Sequence, residues 1–448
     1  CNDWIGDIKT KIMLKNQNIF NQKKILVYGL GKSGLSTFKF LNKGNKIYLF
    51  DDKKNTNNNK EIKKNLVGYQ KLLSENVDYI IISPGIDINK CKLTSYLKRN
   101  KKKIFTDLDI FFDFYPKNKN ITITGTNGKS TTARILYEVL RDQNFDVRLV
   151  GNIGNAILSE KKITINTIFI IEASSYQLEY SKLFRCNISA ILNISADHLE
   201  RHKTLKNYIK AKFRLVKNQT KKDYTILNIN NFYIKQEIKL QKFLPKIIKV
   251  DRYVDLKILK KINNPYFYTE GNKENLTFIF HIIKLFRIKK NTLFITLKRF
   301  KGLKYRQQVI YKTKKLTVIN DSKATSFSSS EVLLKSLPNA HWIIGGQFKK
   351  GDKFSLSKKY CKNFKAYIFG KDKKFYINEL KNKMQIKSFF NLKSLIKKII
   401  LEIKINKLKN HKTILFSPAG ASFDNFKNFE ERGKYFNNLI KKNMNVEK

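Results

Sequence analysis

Residues 121–131 read Ile-Thr-Ile-Thr-Gly-Thr-Asn-Gly-Lys-Ser-Thr, and this stretch constrains the fold more than any other. Ile121, Ile123 and the alternating threonines predict a short buried strand. Gly125, Thr126, Asn127 and Gly128 form a turn, and a helix opens at Lys129, Ser130 and Thr131 and runs on through Ala133, Ile135, Leu136 and Leu140. First-turn N–H groups of a helix lack intrahelical partners, so a strand, a glycine turn and a helix start make an anion cradle. Lys129 can neutralise outer phosphate oxygens, and the Ser130 hydroxyl can ligate Mg²⁺. The spacing, G-x-x-G-K-S, is two residues tighter than the usual phosphate loop. An ordinary glycine turn with a stray lysine is the alternative; cation, hydroxyl and turn together point to ATP.

A second glycine loop lies upstream. Lys24–Tyr28 predicts a strand, Gly29-Leu-Gly31-Lys32-Ser33-Gly34 a turn, and a helix follows through Leu35, Phe38 and Leu41. The next strand, Lys46–Phe50, ends at Asp51-Asp52. G-x-G-x-x-G in this setting, with an acid about 20 residues on, predicts a nucleotide pyrophosphate at the helix start, whether from NAD, FAD or a UDP-sugar. Strand Val77–Ile82 ends in Ser83-Pro84-Gly85, a ligand turn or a bare tight turn.

Downstream of the ATP loop, acids and histidines stand just past apolar strands. Asp146–Val150 leads to Gly151-Asn152-Ile153-Gly154, where Asn152 either donates to an anion or holds the turn. Thr167–Ile171 delivers Glu172, suited to Mg²⁺ or, more blandly, to a helix start. Ala190–Ile194 leads to Asp197 and His198, and the next helix, Leu205–Leu215, carries Tyr208 and Lys212. Such strand ends converge on one rim of a parallel sheet. From 225 to 300 the signal is weaker, apart from a helix opened by Gly271–Asn275 whose polar groups could read an adenine. A last region alternates strands (Leu316–Ile319, His341–Ile344, Ala366–Phe369, Thr413–Phe416) with helices, predicting a further parallel sheet. Its Asp321 and Lys323 make a ligand clamp, or an N-cap with a solvent lysine.

Composition narrows the class. The 448 residues allow two to four domains. A net charge of +56 invites a nucleic-acid reading, but only 12 of the 91 basic residues are arginine and the lysines are spread along the chain. That pattern reads as compositional drift onto solvated faces, with no specific nucleic-acid partner. Cys1, Cys91, Cys186 and Cys361 lie far apart, which gives no metal or disulfide framework. No apolar run approaches a membrane span and no signal peptide opens the chain, so a cytoplasmic protein without membrane insertion is expected. The Cys1 start reads as a truncation or an unusual start codon.

Assembled, these stretches resemble the Mur ligases of peptidoglycan synthesis, from about Lys24 to Phe436. The shared features are Gly125–Thr131, Gly151–Gly154, Glu172 and the segment from Asn193 to Lys212. The runs Glu172–Glu179, Asn320–Thr325 and Ser417–Asp424, the last leading into Phe426–Gly433, resemble the D-glutamate-adding type. The resemblance implies an α/β fold of three domains: a Rossmann-like UDP-sugar-binding domain (1–114), a central ATP-binding domain of P-loop ATPase type with a parallel sheet (115–305), and a C-terminal Rossmann-like domain (306–448). It implies an ADP-forming ligase that joins D-glutamate to UDP-N-acetylmuramoyl-L-alanine through an acyl phosphate, acting as a monomer on small molecules alone.

Roles follow position by position from the resemblance. Lys32, Ser33, Asp51, Ser83 and Gly85 would hold the UDP part, with Asn152 and Ser174 as further substrate contacts. Gly125, Thr126, Asn127, Gly128, Lys129, Ser130 and Thr131 would bind the ATP phosphates, and Asn275, Arg306, Asp321 and Lys323 the remainder of ATP. Lys129, Glu172, His198 and Lys212 would be catalytic. Ser130 and Glu172 would hold one Mg²⁺, and His198 with Lys212 a second, the lysine being carbamylated by CO₂. Lys349, Ser422 and Phe429 would contact D-glutamate. Two departures from the family stand out: Leu303-Lys-Tyr-Arg306 replaces Leu-Pro-His-Arg, and Phe348 stands where a small or acidic residue is usual, leaving Lys349 and Lys350 both open as the amino-acid lysine. A Mur relative or folylpolyglutamate synthase with another acceptor, and an NAD-dependent dehydrogenase, are the rival readings; the C-terminal runs argue against the ligase rivals.

Overall fold

The computed structural model describes residues 18–53, 59–349, 351–405 and 410–444. They pack as two compact units, one comprising the chain up to Ile194 with Arg201–Arg252 and Phe278–Leu293, the other Ser195–Glu200, Tyr253–Thr277 and the chain from Phe294 onward. Lys350 lies outside the described residues, and with it the choice between Lys349 and Lys350.

The first unit holds two sheets. Strands β1 (Lys24–Tyr28), β2 (Lys46–Phe50), β3 (Tyr79–Ile82) and β4 (Ile104–Phe105) form a parallel sheet in the order β2-β1-β3-β4, with helix α1 (Lys32–Leu41) crossing from β1 to β2. The second sheet comprises β5 (Asn120–Thr124), β6 (Val147–Gly151), β7 (Ile168–Glu172), β8 (Ile188–Ile191), β9 (Tyr224–Asn228) and β10 (Lys246–Val250) in the order β10-β9-β8-β5-β7-β6, again all parallel. β5 and β7 are buried along their whole length, as apolar strands covered on both faces must be. One apolar cluster joins the two sheets: Val27, Phe38 and Leu108 of the first share it with Val150, Phe169 and Ile171 of the second. Phe111, on helix α2 (Asp107–Phe114), meets Phe169 edge-on at 4.7 Å.

The second unit is built on β11 (Gln308–Lys312), β12 (Leu316–Asn320), β13 (Ala340–Gly345), β14 (Phe364–Phe369), β15 (Gln385–Ser388) and β16 (Lys412–Ala419), ordered β11-β12-β16-β13-β14-β15. Trp342, Ile344 and Leu415 pack on one face of this sheet, Ile343, Tyr367 and Phe416 on the other.

Sequence and structure part in places. An all-parallel C-terminal sheet is corrected at its edge, where β11 runs antiparallel to β12. Only 313–315 connect them, too short for a parallel crossover. The strand expected over Ala190–Ile194 is Ile188–Ile191; beyond it Leu192 N–H still bonds Thr124 O, and Asn193 O takes the Thr126 N–H, so the chain leaves the sheet to follow the glycine turn. Strands β4, β9, β10 and β15 carried too little apolar pattern to be expected. Among the described residues no helix is long and apolar enough to cross a membrane.

Candidate active site

The turn after β5 has the geometry of a phosphate cradle. Gly128 caps helix α3 (Lys129–Asp142) at φ +84°, a conformation that favours glycine. Asn193 shapes the turn from below: its backbone oxygen accepts from Thr126 N–H at 2.9 Å and its side-chain Oδ1 from Asn127 N–H at 2.8 Å. Lys129 Nζ donates to the carbonyls of Gly125 and Thr126, both at 2.8 Å, placing its cation inside the turn. Ser130 and Thr131 are buried in the first helical turn.

A second ammonium reaches the same place. Lys212, on helix α4 (Leu205–Lys217), is 1 % exposed, and its Nζ donates to Gly125 O at 2.8 Å and Thr124 Oγ1 at 3.5 Å. The same ammonium lies 4.6 Å from the ring centre of Tyr208, whose hydroxyl is 3.0 Å from Thr126 Oγ1. Two lysines therefore share one carbonyl. The arrangement gathers positive charge at the turn, where an anionic ligand would be favoured.

Glu172 ends β7 beside this pair of strands and is almost fully buried. Its Oε1 accepts from Asn152 Nδ2 at 2.9 Å, and Asn152 N–H also bonds Glu172 O. The other oxygen, Oε2, is buried with no hydrogen-bond partner among the described residues. An orphaned carboxylate oxygen is costly in a protein interior and fits a divalent cation. Among the described residues no three His, Cys, Asp or Glu side chains converge on a metal site. A cation here would take Glu172 singly and complete its shell with a hydroxyl, waters and phosphate oxygens, as Mg²⁺ is held in nucleotide sites.

The residues expected on the UDP part gather at the C-terminal ends of β1, β2 and β3. Ser83 Oγ donates to Gly29 O at 2.6 Å, and Asp51 accepts from the N–H groups of Leu30 at 2.5 Å and Lys53 at 2.9 Å. Lys32 Nζ donates to Gly154 O at 2.6 Å, and Ser33 Oγ donates to the buried carboxyl of Asp107, whose pKa burial raises. Gly85 faces open space where a Cβ would stand. Ser174 caps the helix Ser175–Glu179 in a box with Gln177.

In the second unit, His198 stands at φ +56° with Nε2 3.3 Å from Asp197 Oδ2 and Nδ1 3.5 Å from Glu200 Oε1. The hydrogen bond from His198 holds the Glu200 carboxyl down to about 2. Lys349 Nζ lies 2.8 Å from Asp197 Oδ1. Asp321 is buried at the end of β12, where it accepts from Gln307 N–H at 3.1 Å and Ser417 Oγ at 3.0 Å; burial pushes it up to about 7. Asn275 donates to Asn272 Oδ1, and Asn272 in turn to Gln307 Oε1, which brings Asn275, Arg306 and Asp321 into one neighbourhood. Lys323 Nζ sits 4.1 Å over the ring of Phe429, and Ser422 is buried in the turn after β16.

Two supports escaped sequence reading. One is Asn193, which shapes the phosphate turn through Thr126 and Asn127. Arg432, fully buried, donates to Ser322 Oγ, Ser322 O and Gly420 O at 3.1, 2.7 and 2.9 Å and ties the Asp321 and Ser422 turns together. A single arginine in the helix Phe429–Met444, whose other basic residues are lysines, was the available signal.

The chain has close matches among known families and proteins. Residues 123–283 match the model described as Mur ligase middle domain, and residues 23–104 the one described as Mur ligase MurD-like, N-terminal domain. UDP-N-acetylmuramoylalanine–D-glutamate ligase of Rickettsia prowazekii is 31% identical over 95% of this chain and 99% of its own. The chain belongs to the Mur ligase family. The same-named ligase of Caldicellulosiruptor bescii is 32% identical over 93% of this chain and 97% of its own. Among solved structures, UDP-N-acetylmuramate-alanine ligase MurC from Thermotoga maritima matches with a TM-score of 0.55 at 16% identity, covering 94% of this chain and 99% of that one. A Mur ligase so placed is an enzyme with the three-sheet α/β architecture of its relatives.

Proposed function

We propose that this Mur ligase joins D-glutamate to UDP-N-acetylmuramoyl-L-alanine at the expense of ATP, in the cytoplasmic synthesis of peptidoglycan precursors, and works as a monomer. The observation that carries the ATP site is the pair of ammonium groups, Lys129 and Lys212, on the single Gly125 carbonyl, with the orphaned Glu172 oxygen at the end of β7. The full-length relatives, which bear the D-glutamate ligase name, support the acceptor. We place the domain boundaries at 1–114, 115–305 and 306–448, as the resemblance implies.

In the chemistry, a carboxylate oxygen of UDP-N-acetylmuramoyl-L-alanine attacks the γ-phosphorus of ATP, and the bond to the β-phosphate oxygen breaks to release ADP. The resulting acyl phosphate takes the D-glutamate amine at its carbonyl carbon; the tetrahedral intermediate expels phosphate and the amine loses its proton. Direct attack on a carboxylate would have to expel oxide, which is why the phosphoryl group is needed. Residues 125–131 cradle the phosphates, with Lys129 placing positive charge where the transferring group gathers negative charge. Ser130 and Glu172 would hold one Mg²⁺ and His198 and carbamylated Lys212 a second, which when bound supply further charge neutralisation. Carbamylation suits Lys212 on physical grounds. The carbamate keeps one N–H for the Gly125 carbonyl and exchanges a repelled ammonium for an anion beside Lys129.

Lys32, Ser33, Asp51, Ser83 and Gly85 would hold the UDP part, and Asn275, Arg306, Asp321 and Lys323 the remaining groups of ATP. Lys349, Ser422 and Phe429 would contact D-glutamate, and Asn152, bonded to Glu172, and Ser174, at a helix N-cap, would be further substrate contacts. The test is ATP-dependent phosphate release with UDP-N-acetylmuramoyl-L-alanine and, in turn, D-glutamate, L-glutamate, L-lysine and L-alanine. Release with D-glutamate alone is expected. Release with a different acceptor refutes the substrate assignment and leaves the ligase chemistry.

A further inference from the structure

Phe348 precedes Lys349 in a loop whose approach is fixed by backbone alone. Gln347 N–H donates to Ala421 O and Ala421 N–H to Gln347 O, both at 2.8 Å, lacing this loop to the turn that bears Ser422. Gly346 sits at φ +110°, and a Cβ there would collide with Ala421 O. From Phe348 onward the chain has two further holds. Its N–H donates to Asp372 Oδ2 at 3.1 Å, and its ring lies flat on Phe375, with centroids 4.4 Å and planes 22° apart. Asp372 is the N-cap of helix α5 (Lys373–Leu380) and Phe375 lies in its first turn, so both holds belong to one helix end. Phe375 rests in turn on Phe327 and Tyr376 in the core.

Phe348 is itself 40 % exposed, so burial alone does not account for it. What the stack does is fix the backbone next to Lys349, the base from which its long side chain reaches. The Lys349 ammonium meets a carboxylate, that of Asp197, at 2.8 Å.

We propose that Phe348 is a positioning residue for the amino-acid substrate: stacked on Phe375 and bonded to Asp372, it holds Lys349 in the pose in which its ammonium receives a substrate carboxylate. This rests on the assignment of Lys349 to D-glutamate given above.

The test is steady-state kinetics of the full chain with each substrate varied in turn. Phe348→Ala is expected to raise KM for D-glutamate about 3- to 10-fold, the range set by loss of one stacked aromatic pair. KM for ATP and for the UDP-sugar stays within about twofold and kcat changes less than the D-glutamate KM. Phe375→Ala shows the same selective pattern, and Phe348→Tyr, which keeps the ring, restores the parent value. Lys349→Ala is measured alongside. A D-glutamate KM raised by Lys349→Ala and untouched by Phe348→Ala overturns the proposal while leaving Lys349 its role. No effect of Lys349→Ala overturns both. A uniform rise in all three KM values in Phe348→Ala, unrelieved by tyrosine, marks a folding effect and also overturns it.

Discussion

Replacing Asp109 by asparagine tests how the first unit is held together. Asp109 is fully buried at the start of α2, and one carboxylate oxygen accepts from Ser181 Oγ at 2.9 Å, Lys182 N–H at 2.8 Å, Leu183 N–H at 2.8 Å and Phe184 N–H at 3.0 Å. Its other oxygen accepts from Thr106 N–H at 2.8 Å and Thr106 Oγ1 at 3.1 Å, closing the helix cap. The acid thus joins the last helix of the first sheet's domain to the loop that follows Glu179. In Asp109→Asn the amide oxygen can keep the 181–184 donors, but its NH₂ then faces the Thr106 N–H. One buried backbone donor loses its acceptor, at about 1–3 kcal/mol, and four bonds lose the strengthening of a charged acceptor. Relief from burying a charge offsets part of this, leaving a net loss of about 3 kcal/mol. At about 2–4 °C per kcal/mol for a unit of this size, the melting transition should fall by about 6–12 °C. Calorimetry of the parent, Asp109→Asn and Ser181→Ala measures it; the serine variant, losing one bond, should cost about 1 kcal/mol. If Asp109→Asn melts within about 2 °C of the parent, the carboxylate is not the joint described here.

Other consequences can be checked directly. Glu172→Gln should lower the rate about 100-fold or more and raise the Mg²⁺ concentration needed for half-maximal activity, as seen in a Mg²⁺ titration; an unchanged titration removes Glu172 from the metal site. Depleting CO₂ and bicarbonate should lower the parent rate but not that of Lys212→Ala, and indifference of the parent refutes the carbamate. Gly34→Ala should abolish UDP-sugar binding while ATP binding survives, since a Cβ there collides with Gly29 O and comes within 2.9 Å of Ser83 Oγ; calorimetric titration of each ligand distinguishes the outcomes. Burial raises Asp321 from 3.8 to about 7, so the fold favours its neutral form. That contribution is complete below about pH 4 and lost as pH rises through about 7, so the parent should lose stability from pH 5 to 8 more than Asp321→Asn does; equal losses in thermal melts would refute it.

What the sequence determined by itself is the chemistry carried by contiguous residues. The strand, glycine turn and Lys129-Ser130 helix start could be read in order because every group acts within a few residues of the next. The same holds for Glu172 at the end of an apolar strand and for the first glycine loop, whose helix starts at Lys32 as its spacing requires. Period and turn chemistry are local, and local patterns survive into the fold. Tertiary structure alone decided the relations between distant segments. That Lys212 and Lys129 meet on one carbonyl, 83 residues apart in the chain (212 − 129), depends on where α4 crosses the sheet. That Asn152 serves Glu172, Arg432 joins two turns and Asp109 fastens a loop 72 or more residues away depends on which buried donors lack partners. The antiparallel edge strand β11 and the weakly patterned β10 and β15 were likewise settled by pairing with neighbours. A buried polar group has to be satisfied by whatever the fold brings near it, and no spacing rule in the sequence says which residue that will be.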